Sequence, residues 1–62
     1  MNKKISIVTP VFNGEDYIEQ VIKSVIGQKY NNIEYLVVDG GSTDNTKEII
    51  EKYRDRISKI IY

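Results

Sequence analysis

The residues of this chain best suited to chemistry run from Asp39 to Asp44, Asp39-Gly40-Gly41-Ser42-Thr43-Asp44. Asp39 can accept a hydrogen bond from a ribose hydroxyl or a base N–H. The backbone amides around Gly40, Gly41 and Ser42 offer further donors to a polar ligand. The glycines keep the loop slim, so a ligand can approach the backbone. A second group lies upstream at Pro10-Val11-Phe12-Asn13-Gly14-Glu15. Phe12 has a flat face for a nucleobase, and such stacking is worth roughly 1–3 kcal/mol. Glu15 adds another carboxylate.

Each of these residues also has a structural reading. Phe12 can anchor its loop to the core. Asp39 can cap the Gly40–Ser42 turn through its own side chain. Asp44 reads as a helix cap, and Glu15 and Asp16 as first-turn acids facing a helix dipole. Tyr17, Tyr35 and Tyr53 sit at core spacing, and the charges from Glu48 to Arg56 form a solvated face. No spacing places Glu15 and Asp39 at a catalytic separation, so they are not assigned as an acid–base pair.

The elements that position these residues follow from hydrophobic periodicity. Ile5-Ser6-Ile7-Val8-Thr9 is short and β-branched, and reads as a strand buried on both faces. Pro10 has no N–H, so the strand is expected to end there. Asn13 is expected to cap a helix with a stripe of Tyr17, Ile18, Val21, Ile22, Val25 and Ile26. Gly27 stops that helix, and Tyr30-Asn31-Asn32 turns the chain. Ile33 to Asp39 is the next strand. Asp44 or Asn45 caps a further helix, with Asn45 and Glu48 at capping-box spacing. Ile49, Ile50 and Tyr53 form its inner face. Ile57 to Tyr62 is a third strand.

The order β-α-β-α-β predicts an α/β fold: a parallel, three-layer, Rossmann-like unit with right-handed crossovers and strand order 3-2-1. Ligands of such sheets bind at the carboxyl ends of the strands. Strand 1 keeps a free apolar edge, which invites pairing. Self-association through that edge is therefore expected. A non-catalytic interaction module is the alternative to an enzyme.

Composition narrows the function classes. At 62 residues the chain is at the low end for independent folding, and without cysteine no disulfide can help. Histidine is also absent, which removes thiolate and imidazole metal sites and Cys or His nucleophiles. Nine basic and nine acidic residues cancel, which argues against nucleic acid as a partner and against a polybasic membrane anchor. The start lacks a signal-peptide core, and no run is long enough to span a bilayer. A cytoplasmic location fits. The segment after strand 1 has no G-x-G-x-x-G, so a dinucleotide fold has no pyrophosphate cradle, and a P-loop is absent for the same reason.

Ser6-Ile7-Val8-Thr9-Pro10-Val11-Phe12-Asn13-Gly14-Glu15, Ser24-Val25-Ile26-Gly27-Gln28, Ile33-Glu34 and Val37-Val38-Asp39-Gly40-Gly41-Ser42-Thr43-Asp44-Asn45-Thr46 stand in order. Together they resemble the N-terminal part of family 2 glycosyltransferases, which have the GT-A fold. The likeness runs from about Ile5 to Tyr53. It implies transfer of a sugar from a nucleotide-sugar, commonly a UDP-sugar, to a growing polysaccharide or lipid-linked glycan. By that likeness residues 1–62 form one incomplete domain, its nucleotide-binding portion. The nucleotide-sugar site would comprise Pro10, Val11, Phe12, Glu15, Asp39 and Gly40, with Phe12 where the family often has Tyr.

Two departures from the family pattern matter. Members often carry a second acid after strand 2 that can contact uracil; here that position is Gly40. The D-x-D motif that holds a divalent metal (Mn or Mg), and the later catalytic base, lie outside these residues. The resemblance therefore assigns no catalytic residue and no metal ligand here. The isolated chain is expected to be inert, and the full-length form can sit at the cytoplasmic membrane face.

Overall fold

The computed structural model describes residues 4–28 and 32–62. Tyr30 and Asn31 of the expected turn lie outside them. The element order is β1 (Ile5–Val11), α1 (Ile18–Ile26), β2 (Ile33–Asp39), α2 (Thr46–Lys52), a 3-10 turn (Arg54–Arg56) and β3 (Lys59–Ile61). All pairings are parallel, and β2 lies between β1 and β3. This is the α/β unit with 3-2-1 order read from the sequence. The register pairs Ile5 with Ile33 and Val11 with Asp39. β1 and β2 therefore end level, and the loops that follow them emerge side by side.

The chain steps across the sheet twice in one direction, and right-handed crossovers then place both helices on one face. Ile18, Ile22 and Ile50 pack there against Val11, Tyr35, Val37 and Ile57. The opposite face carries Val8, 55% exposed, and Ile61, 41% exposed, beside Pro10, Leu36 and Val38. β1 is thus not buried on both faces, as its apolar run suggested. Among the described residues the sheet and one helical layer are formed.

The strand β1 also does not stop at Pro10. Ile5 N donates to Asn32 O, and Val11 O accepts from Gly40 N, both at 2.8 Å. Odd-numbered residues thus turn their backbone groups toward β2. Pro10 falls between them, its ring nitrogen faces the free edge, and no bond to β2 is lost. The edge expected to support self-association is therefore present, with one donor missing.

Helix starts shift for identifiable reasons. Gly14 O accepts from both Tyr17 N and Ile18 N, so a turn precedes α1 and the helix begins at Ile18. Asn13 is not its cap; it sits at φ 50 and bonds elsewhere. At α2 the N-cap position is Asn45, but the side chain that serves the helix start is that of Asp44, whose Oδ1 accepts from Thr46 N at 2.9 Å. Asn45 makes no side-chain cap bond, so the capping box with Glu48 does not form. Ile57 is buried in the core before β3 begins. Ser58 locks that approach: its Oγ accepts from Tyr35 N at 3.0 Å, and its N donates to Tyr35 O at 2.9 Å. Among the described residues no helix is long and apolar enough to cross a membrane.

Candidate functional site

The loops after β1 and β2 are fastened to each other by a set of cross-loop hydrogen bonds. Asn13 N donates to Ser42 Oγ at 2.8 Å, and Thr43 N donates to Asn13 Oδ1 at 2.8 Å. Gly14 N donates to Thr46 Oγ1 at 2.8 Å. Glu15 N donates to Asp44 Oδ2 at 3.2 Å, and Asn45 N donates to Glu15 Oε1 at 2.9 Å. Gly14 is needed for this closeness. A Cβ there would lie 2.6 Å from Val11 Cγ2 and 2.7 Å from Tyr17 Cζ.

Asp39 ends β2 and is 2% exposed. Its Oδ1 accepts from Gly41 N at 3.2 Å, Ser42 N at 3.0 Å and Ser42 Oγ at 2.6 Å. Burial pushes its pKa up, but the Ser42 hydroxyl, the Ser42 and Gly41 amides and the charge of Lys47 outweigh it. The carboxyl is held below its ordinary range and carries its charge. Oδ2 is enclosed and has no partner; among the described residues it is the buried side-chain oxygen left orphaned. Such a group is costly to leave unsatisfied. Asp39 thus does cap its own turn, but with one oxygen only.

An open cleft of about 440 Å³ lies at the same sheet edge, lined by Pro10, Val11, Phe12, Tyr17, Val38 and Gly40. Phe12 is 61% exposed, so it does not anchor its loop to the core. The cleft walls are apolar, which suits a flat ring more than a charged group. A second hollow, between Val25, Ile26, Ile33 and Arg56, lies near the amino end of β2. Parallel α/β sheets do not carry their ligands at that end.

Of the residues expected at the site, the structure gathers Pro10, Val11, Phe12 and Gly40 around one cleft. Asp39 and Glu15 are not among its lining. Asp39 lies beside Val11 in register, with its side chain turned to the helical face. Glu15 is a loop fastener, not a first-turn acid of α1. Sequence reasoning missed Tyr17, placed on the α1 stripe but 48% exposed at the cleft. It also missed Ser42 and Thr46. The Asp-x-x-Ser spacing of Asp39 and Ser42 is the signal that could have found the first of these. Thr46 gives no such signal, because its partner Gly14 N is 32 residues away.

Among the described residues no three acids, histidines or cysteines come close enough to hold a metal ion. Asp39 Oδ1 is already saturated by three donors. The divalent metal implied by the resemblance therefore has no donor set in these residues, and no step is derived through it.

The family model described as glycosyl transferase family 2 matches residues 6–62. The chain belongs to that family. It is 39% identical over 62 residues to glycosyltransferase GlyA of Streptococcus pneumoniae, covering 100% of this chain and 9% of GlyA. It is 45% identical over 56 residues to an uncharacterized glycosyltransferase of Haemophilus influenzae, covering 90% of this chain and 22% of that one. The chain thus spans under a quarter of the length of either relative. In fold it is similar to residues 1–349 of Staphylococcus aureus TarS in complex with UDP-GlcNAc, with a TM-score of 0.85 and 35% identity over 97% of this chain and 18% of that one. The complex of TarS 1–349 with UDP gives a TM-score of 0.83 at 36% identity, over 95% of this chain and 18% of that one. The parallel α/β unit described above is thus that of the GT-A fold.

Proposed function

We propose that these residues are the nucleotide-binding half of an enzyme that transfers a sugar from a nucleotide-sugar to a glycan or lipid-linked acceptor. The observation that carries this is the orphaned Oδ2 of Asp39, at the same carboxyl edge of the sheet as an apolar cleft lined by Phe12 and Gly40. A base lies against Phe12, and a base N–H or ribose hydroxyl donates to Oδ2. Because Oδ2 is enclosed, the loops above it part slightly as the donor enters. Gly40 adds no side chain, so the cleft stays open. UDP and UDP-GlcNAc in the TarS complexes support a uridine nucleotide.

These residues bind and orient; they do not supply the catalytic base. A divalent metal, Mn or Mg, offsets the charge of the leaving diphosphate when bound by the whole enzyme. A cytoplasmic setting fits a chain without cysteine. The test is calorimetric titration of UDP, UDP-GlcNAc, GDP and dTDP with Mn²⁺, alongside a sugar-transfer assay. Weak binding of a uridine nucleotide that is weakened further in Asp39→Asn, without turnover, is expected. Indifference of the folded chain to every nucleotide overturns the reading.

A further inference from the structure

We propose that Ser42 is a positioning residue that couples Phe12 to Asp39. Its hydroxyl holds the Asp39 carboxylate in the orientation that reserves Oδ2 for the ligand. The proposal rests on the nucleotide reading above and names a residue through which that site is set.

A serine hydroxyl has a single proton. Here it goes to Asp39 Oδ1 across 2.6 Å, a short bond to a charged acceptor. A lone pair of the same oxygen takes the N–H of Asn13 across 2.8 Å. Asn13 follows Phe12 directly and sits at φ 50, a left-handed backbone that asparagine adopts more readily than most residues. Ser42 is half-buried and reaches both loops at once. The amides of Gly41 and Ser42 already cap the turn through Oδ1. The hydroxyl is therefore not needed to form the turn. What it adds is a link, from the backbone after the stacking ring to the carboxylate. Three donors on one oxygen fix the carboxyl rotation, and the remaining oxygen is left for a donor that the described residues do not provide.

The test is a double-mutant cycle read by UDP titration of the chain, with amide hydrogen exchange measured without nucleotide. If Ser42 acts through Asp39, Ser42→Ala weakens UDP binding about tenfold in the native background and less than twofold in Asp39→Asn. Ser42→Thr, which keeps the hydroxyl, recovers most of the loss. A merely structural serine gives equal losses in both backgrounds, and that result overturns the proposal. If Asp39→Asn abolishes binding, recovery by Ser42→Thr decides instead, and its failure overturns the proposal. If the native chain binds no UDP, the nucleotide reading fails on its own. The exchange experiment then decides the link. Ser42→Ala should speed exchange at Asn13 N–H about tenfold, and an unchanged rate overturns the coupling.

Discussion

The Gly14 N–H donates to Thr46 Oγ1 across 2.8 Å, tying the loop after β1 to the first turn of α2. Thr46 is fully buried, and its hydroxyl proton goes to Asp44 Oδ1. Thr46→Val keeps the shape but leaves a buried N–H without an acceptor. The cost is about 2 kcal/mol, which in a domain of this size lowers Tm on the order of 10 °C. Thr46→Ser should lose much less. Thermal unfolding of both variants checks this; similar Tm values for the two would show that the hydroxyl bond does not matter.

Phe12 is expected to separate binding from folding. It is 61% exposed, so Phe12→Ala removes little buried surface and should shift the urea midpoint only slightly. Losing the stacking face should weaken UDP binding roughly tenfold or more, from about 1–3 kcal/mol per stacked base. Phe12→Tyr should retain it. Titration and urea unfolding on the same variants give both numbers.

The adjacent glycines should respond oppositely to a methyl group. A Cβ on Gly40 meets Val11 O at 3.7 Å and Phe12 carbons at 3.8 Å, ordinary contacts, whereas Gly41 sits at φ +99. Gly40→Ala should therefore be neutral within about 0.5 kcal/mol. Gly41→Ala should cost about 1–2 kcal/mol for the left-handed backbone. Gly40→Asp should also fold. By resemblance to family members with a second acid there, it should raise UDP affinity several-fold. Denaturant midpoints and UDP titration report each outcome.

Acid should destabilise the chain through Asp39 and Asp44. Burial raises both pKa values, but hydrogen bonds, from Ser42 and Gly41 to Asp39 and from Thr46 and Glu15 to Asp44, more than offset it. Both folded values are lowered. Their stabilisation is therefore complete above the unfolded value near about 4 and is lost as pH falls through the folded values. The urea midpoint should be flat from about pH 7 to 5 and drop below about pH 4. Glu51, held at about 2 by Arg54 and Tyr62, is exposed and should contribute little to that drop. A midpoint that rises on acidification contradicts this sign.

Much of this fold was legible because it depends on local pattern. The apolar runs at Ile5 and Ile33, and the helical spacing of Ile18, Ile22, Val25 and Ile26 and then of Ile49, Ile50 and Tyr53, announce their elements directly. Handedness then fixes the topology. Pro10 misled because its effect depends on which way the nitrogen points, and that is a matter of pairing. Asn13 misled because its partners, Ser42 and Thr43, lie in another loop; the residue has the composition of a cap and the geometry of a clasp. Of the candidate site, Phe12, Pro10, Val11 and Gly40 were found from residue type next to a strand end. Tyr17 was assigned to the core by periodicity, although the turn before α1 swings it outward. Ser42 and Thr46 were missed because small hydroxyls acquire meaning only from what stands opposite them.

Pro10 also bears on whatever strand lies alongside β1. That incomer would meet a seam with one rung absent. Its own peptide oxygen opposite Pro10 would go unclaimed, on the flank of a residue that also lines the aromatic cleft. The ring that spares the β2 pairing therefore makes the outer flank a poor zipper, and leaves a spare acceptor where a nucleoside would arrive.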